Sequence, residues 1–155
     1  MTLFGKLKNM VTGGGATVTL EVLSPPVRGE AFGVRVSVKV GAADVAAHKV
    51  YLRVVGEEAV QVPNVEVATR SGDEIRLSTE TVSRSSYTFD ASWDVAPAQT
   101  LRAGQGYDWE IGVEVPADAP PVYQGTLARH EWKILAGVDV FGNDPDTGWY
   151  VLAMG

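Results

Sequence analysis

The sequence predicts an all-β sandwich of about eight or nine mainly antiparallel strands, and three observations carry that prediction. Apolar residues recur at every second position through several runs, as in strands with one buried and one wet face. Clusters of proline, glycine and Asx residues separate the runs, most strongly at Ser24–Glu30, Pro116–Pro121 and Asn143–Gly148. No internal stretch carries a convincing helical period. The length of 155 residues suits one domain, which at that size buries roughly two-thirds of the surface of its unfolded chain.

Taken in order, Met1–Val11 places Leu3, Phe4, Leu7, Met10 and Val11 at helical spacing, with Lys6 and Lys8 off the stripe. A short amphipathic helix is expected there, packed on the chain's own sandwich or frayed; its functional alternative is weak contact with a membrane surface or a partner. The stripe is too brief for a membrane span and lacks a secretory signal's apolar core and cleavage site. Gly13, Gly14 and Gly15 form a hinge, so residues 1–15 read as an N-terminal segment and 16–155 as the sandwich.

The first strand puts Val18, Leu20 and Val22 on one side. After the Ser24–Glu30 turn, Phe32, Val34, Val36, Val38 and Val40 alternate with polar or small residues, the cleanest half-buried strand in the chain. Ala42–Ala47 amounts to one helical turn at most. From His48 to Val55, Val50, Leu52 and Val54 face the core while Tyr51 and Arg53 face outwards. Pro63 shifts the alternation in Val60–Thr69 and demotes it to an edge or loop strand. Glu74–Ser86 is rich in Ser and Thr, with only Ile75, Leu77, Thr79 and Thr81 as a weakly buried face, and reads as a further edge. Tyr87, Phe89, Ala91, Trp93 and Val95 resume firm alternation. Trp109, Ile111, Val113 and Val115 then form one strand, and His130, Trp132, Ile134, Ala136, Val138 and Val140 another. Between them Pro116, Pro120 and Pro121 forbid helix and take the chain out of the sheet. A final strand follows at Tyr150–Met154.

Composition narrows the function classes. A net charge of −6 and a pI near 4.8 argue against nucleic acid, which needs a basic patch to displace counterions. Residues 1–56 hold seven Lys and Arg against three acids, a balance of +4 that leaves −10 for the rest; such polarity either orients a partner or is dispersed over a solvated surface. Zero cysteines mean neither a disulfide framework nor a thiolate site, and a reducing, cytoplasmic setting is expected.

Three segments carry a resemblance to a known family. They are MTLFGKLKNMVTGGGATVTLEV, VRGEAFGVRVSVKVG with its hydrophobic strand after Gly-Glu, and GYDWEIGVEVPADAPPVYQGTLARHEWKILAGVDV, where a strand ends in proline and a Tyr-x-Gly leads into a long aromatic strand. Together they resemble the immunoglobulin-like, arrestin-type sandwich, in particular the amino-terminal half of the bacterial sporulation-control family. The chain departs from that family in having room for one sandwich rather than two, and in reading Val27-Arg28-Gly29-Glu30 where Pro-Gly-Glu is usual. The resemblance implies an adaptor or regulatory protein that binds other proteins, and no enzyme.

The residues themselves offer no competing chemistry. His48 and His130 lie far apart in sequence, and His130 shares the apolar register of Trp132, so a hydrogen-bonded boundary histidine is expected rather than a metal ligand. No serine sits in a G-x-S-x-G setting and there is no cysteine, so nucleophilic catalysis has no candidate. Asn143, Asp144, Asp146 and Gly148 superficially match a calcium loop, but Pro145 and the missing later Glu favour a plain turn, and neither metal nor cofactor is expected. Glu57 and Glu58, adjacent on a strand, point to opposite faces and cannot act as one acid-base pair. Trp93, Trp109, Trp132, Trp149, Tyr87, Tyr107 and Tyr123 are expected mostly to fill the core, with Tyr123 and Trp149 the most exposed because they adjoin turns. The expected protein-binding residues are Thr79, Thr81 and Ser83 on the polar edge and Tyr123 and Trp149 in the loops. The alternatives are a self-assembling module that pairs the same edges, or a lectin-like ligand-binding sandwich.

Overall fold

A computed structural model describes residues 6–7 and 15–155. Eleven strands run in order among them: β1 (Lys6–Leu7), β2 (Ala16–Val22), β3 (Phe32–Val40), β4 (Val45–Ala47), β5 (Lys49–Ser71), β6 (Glu74–Ala96), β7 (Gln99–Leu101), β8 (Gly106–Val113), β9 (Tyr123–Gln124), β10 (Ala128–Asp139) and β11 (Tyr150–Leu152). There is no helix among the described residues. Lys6 and Leu7 pair as strand with Glu21 and Leu20, which corrects the expected helix at those positions; the remainder of that stripe, with Gly13 and Gly14, lies outside the described residues. Ala42–Ala47 also yields strand rather than a helical turn, because Val45–Ala47 pairs with Gln99–Leu101.

Two antiparallel sheets face each other. One has the order β1-β2-β3-β8 and the other β11-β10-β5-β6, with β9 pairing β10 near its start. Strict alternation supplies the layer between them. Val18, Leu20 and Val22, the even-numbered residues of β3, Val50, Leu52 and Val54, and Trp132, Ile134, Ala136 and Val138 are all buried in one cluster. Burying such side chains removes apolar surface from water at roughly 25 cal/mol per Å², and this is what holds the two sheets together. Trp132 is fully buried and Tyr123 and Trp149 are exposed, as expected, but the core-filling expectation needs correction for four rings: Trp93, Trp109 and Tyr107 are half-buried and Tyr87 is exposed. The reason is position, since β6 and β8 are the outer strands of their sheets and leave the rings they carry partly in solvent.

The Asn143–Gly148 turn is held by its own acids. Asp144 accepts hydrogen bonds from the Tyr51 hydroxyl at 3.0 Å and from the Val140 amide at 3.1 Å, and Asp146 accepts one from Gly148 N–H at 2.8 Å. The Tyr51 ring lies against Gly137, where a Cβ would collide with it. Burial, reinforced by the bond to Asp144, pushes the Tyr51 phenol well above the usual tyrosine range. A group raised in this way lends stability that is complete below its unfolded pKa and is lost as pH rises through the folded value. The unfolding midpoint is therefore expected to fall from about pH 10 upward, the ordinary tyrosine value. Tyr51→Phe should flatten that fall, leaving a residual slope to which Tyr150, raised by burial, contributes. Superimposable pH profiles for parent and variant would count against this account.

Candidate protein-binding surface

The feature that stands outside the sandwich is made by β5 and β6, each 23 residues long. They pair from Val50↔Ala96 to Ser71↔Glu74. The other neighbour of β5, the strand β10, stops at Ala128 opposite Val60. Beyond that point the two strands run on as a two-stranded arm of roughly 35 Å, taking 3.3 Å per residue. Gly72 and Asp73 close the arm, with positive φ at Gly72 (64°) and not at Asp73, the φ pattern of a type II′ turn, which suits the right-handed twist of the ribbon.

Two irregularities shape it. Pro63 and Asn64 together oppose Thr81, between the pairs Val62↔Val82 and Val65↔Glu80, so Pro63 sits in a β-bulge and not at a strand end. A bulge accepts a proline because its extra residue is out of the ladder, and Asn64 takes the left-handed φ of 56° that asparagine tolerates. This corrects the reading of Val60–Thr69 as a separate edge piece: it is the outer half of β5. Nearer the sandwich, Thr88 is the extra residue between Gly56↔Phe89 and Glu57↔Tyr87. Its hydroxyl lies 2.6 Å from His130 Nε2, and His130 is buried edge-on against Trp132. His48 is exposed at the far end of the β5–β10 ladder, so the structure does not bring the two histidines together.

Among the described residues β6 is the edge of its sheet along its whole length and pairs only with β5. Thr79, Thr81 and Ser83 all lie on its arm section and are exposed. The weakly buried face expected there is wrong: Ile75 is 65% and Leu77 72% exposed, because no second layer among the described residues lies beneath the arm. Cross-strand partners share a face, so Val62, Val65 and Val67 lie with Val82 and Glu80, and Ala68 with Leu77 on the other. An isolated two-stranded ribbon is marginally stable in water, and one that leaves valine, isoleucine and leucine uncovered has an unmet demand for burial.

Trp149 and Tyr123 stand apart from that section. Trp149 lies on the outer face of the second sheet, where the Arg53 guanidinium sits 5.5 Å from its ring and 5.7 Å from that of Tyr87. Asp90 fixes Arg53 with bonds of 2.9 and 2.7 Å, and this contact holds the Asp90 carboxyl below the usual carboxylate range. With exposed Val151, also on β11's outward side, these rings form an apolar patch beside the base of β6. Tyr123 is on β9, across β10 from β5. Next to it an open cleft of about 380 Å³ lies between Gln61 and Arg84 at the arm's base and the Gln124–Arg129 turn. Thus Ser83 neighbours the cleft and Trp149 neighbours Tyr87, whereas Thr79 and Thr81 lie further out. Sequence reasoning read Ile75 and Leu77 as weakly buried where they are exposed, and missed Val82 and the Arg53 clamp; the sign of the three apolar residues was their place inside a Ser/Thr-rich run.

No protein-family model matches the chain, and a search of curated proteins finds no match. Among solved structures it is similar to Spo0M, a sporulation control protein from Bacillus subtilis, with a TM-score of 0.60 at 17% sequence identity. The match covers 91% of this chain and 49% of the other, so the chain spans about half the length of that protein. The fold is the arrestin-like β-sandwich, shared with Spo0M.

Proposed function

We propose that this chain is a non-enzymatic, cytoplasmic protein-binding module, an adaptor or regulator that takes a partner's strand onto the free edge of β6. The observation that carries the reading is the arm: a long edge strand without proline and with exposed apolar residues, which among the described residues is unpaired on its outer side and has no layer beneath it. Strand addition satisfies that edge through main-chain hydrogen bonds and draws specificity from alternate side chains. The likeness to a sporulation control protein supports a regulatory role, and the absence of any helix among the described residues long and apolar enough to cross a membrane is compatible with it.

The test removes the arm. Replacing residues 62–82 by Asn-Gly joins Gln61 to Ser83 through a two-residue turn and leaves the core cluster untouched. The shortened chain is expected to unfold within a few degrees of the parent and to lose the partner that the parent retains from a native extract. Single prolines at Thr79, Thr81 and Ser83 should weaken retention where they remove an outward N–H, with folding preserved. Retention by the shortened chain equal to the parent's would exclude the arm and move attention to Tyr123 and Trp149.

A further inference from the structure

Resting on the reading of β6 as the binding edge, we infer that its partner is a second copy of this chain, joined β6 to β6 about a two-fold axis through Val82. A two-fold axis normal to a sheet sets each residue opposite one of the same parity, so only a few registers exist, and their charges discriminate among them. With Val82 opposite its own mate, Glu80 lies opposite Arg84 of the second copy, and the symmetry repeats the pair. Neither residue forms an ion pair within the chain among the described residues. Moving the axis one residue, to Thr81 or Ser83, sets Val82 against Glu80 or against Arg84 and loses the Glu80–Arg84 pairs; moving it two towards the tip sets Glu80 against Glu80, and two the other way sets Arg84 against Arg84. Like charges directly opposite are destabilising.

The uncharged positions agree. In the Val82 register Thr81 meets Ser83, Thr79 meets Ser85, Ser78 meets Ser86 and Leu77 meets Tyr87, so every pair from Leu77 to Tyr87 is matched in character. Tyr87 belongs to the exposed patch with Arg53, Trp149 and Val151. The arm of one copy therefore lies along the partner's sheet and delivers its exposed Leu77 to that patch. One arrangement thus pairs the free edge, brings Leu77 of the arm into contact and occupies the patch, and it does so twice.

The chain has no cysteine, which makes a single introduced thiol a clean probe. Facing residues of an antiparallel pair have Cα atoms about 4.5–5.5 Å apart, within disulfide reach. Val82→Cys is exposed and is expected to yield a covalent dimer under mild oxidation, while Ser78→Cys, whose mate lies across from Ser86, does not. In sedimentation of the full chain, Glu80→Arg and Arg84→Glu should each raise the dimer Kd by about tenfold, from two reversed cross-strand pairs, and the double reversal should restore it. A parent dimer that ignores both reversals and does not cross-link through Val82→Cys would overturn the register. A parent that stays monomeric at every concentration would overturn the second copy as partner. In that case, loss of a different captured protein on removing the arm would leave the β6 reading standing, and no loss would end both.

Discussion

Replacing Trp132 by alanine is expected to remove about 3–5 kcal/mol of folding stability, the range for deleting a large core aromatic. The ring is fully buried on the inward face of β10, opposite Gly56 of β5 on one side and Leu152 of β11 on the other. Phe89 and His130 lie against it, each with its ring centroid 5.5 Å away. Its indole N–H donates to the Pro120 carbonyl at 2.9 Å and so pins the proline-rich crossover to the sheet. Alanine would leave a cavity that the paired strands cannot close, and it would strip that carbonyl of its donor. Denaturant unfolding measures the loss, and a value below about 1 kcal/mol, the scale of exposed sites, would place the ring outside the core.

A smaller chemical change should also be felt strongly. Thr147→Val, nearly identical in shape, is expected to cost about 2 kcal/mol, because it leaves buried polar groups without partners. Thr147 is fully buried; its hydroxyl accepts from the Ala136 amide at 3.1 Å and donates to the Gly148 carbonyl at 2.8 Å. The Thr147 amide in turn donates to the Ala136 carbonyl at 2.9 Å, so this one residue continues the β10 ladder past its pairing with β11. Thr147→Ser retains the hydroxyl and should recover most of the loss in the same unfolding measurement. Equal stability of the valine variant and the parent would show that water replaces the hydroxyl.

The contrast between these two positions explains what the sequence makes legible. Trp132 stands in a run of alternating apolar residues, and alternation reports directly which face of a strand is buried, as it does for Phe32–Val40. Thr147 is buried by what surrounds its turn, and no local pattern announces a hydroxyl enclosed by distant chain. The arm was hidden for a different reason. Its strands have solvent on both faces, so no binary pattern separates them, and Pro63 reads as a break unless the opposing strand is known to absorb it as a bulge. The edge character of Glu74–Ser86 was readable from its polarity, whereas its continuity with Tyr87–Val95 as one strand was not.

The arm also bears on the order of events when the chain folds. Its strands are neighbours in sequence and meet at a two-residue turn, and hairpins of this kind close in about 1–10 μs. The sandwich depends on β3 finding β8, with Phe32 paired to Val113 across the whole β4–β7 interval, a long loop whose closure entropy must be met first. The edge of β6 therefore closes early and reopens repeatedly, gaining lasting stability only when the body that carries it has formed. If two copies join along β6 as proposed, chain concentration during refolding, and not only in the native state, sets how often they do so.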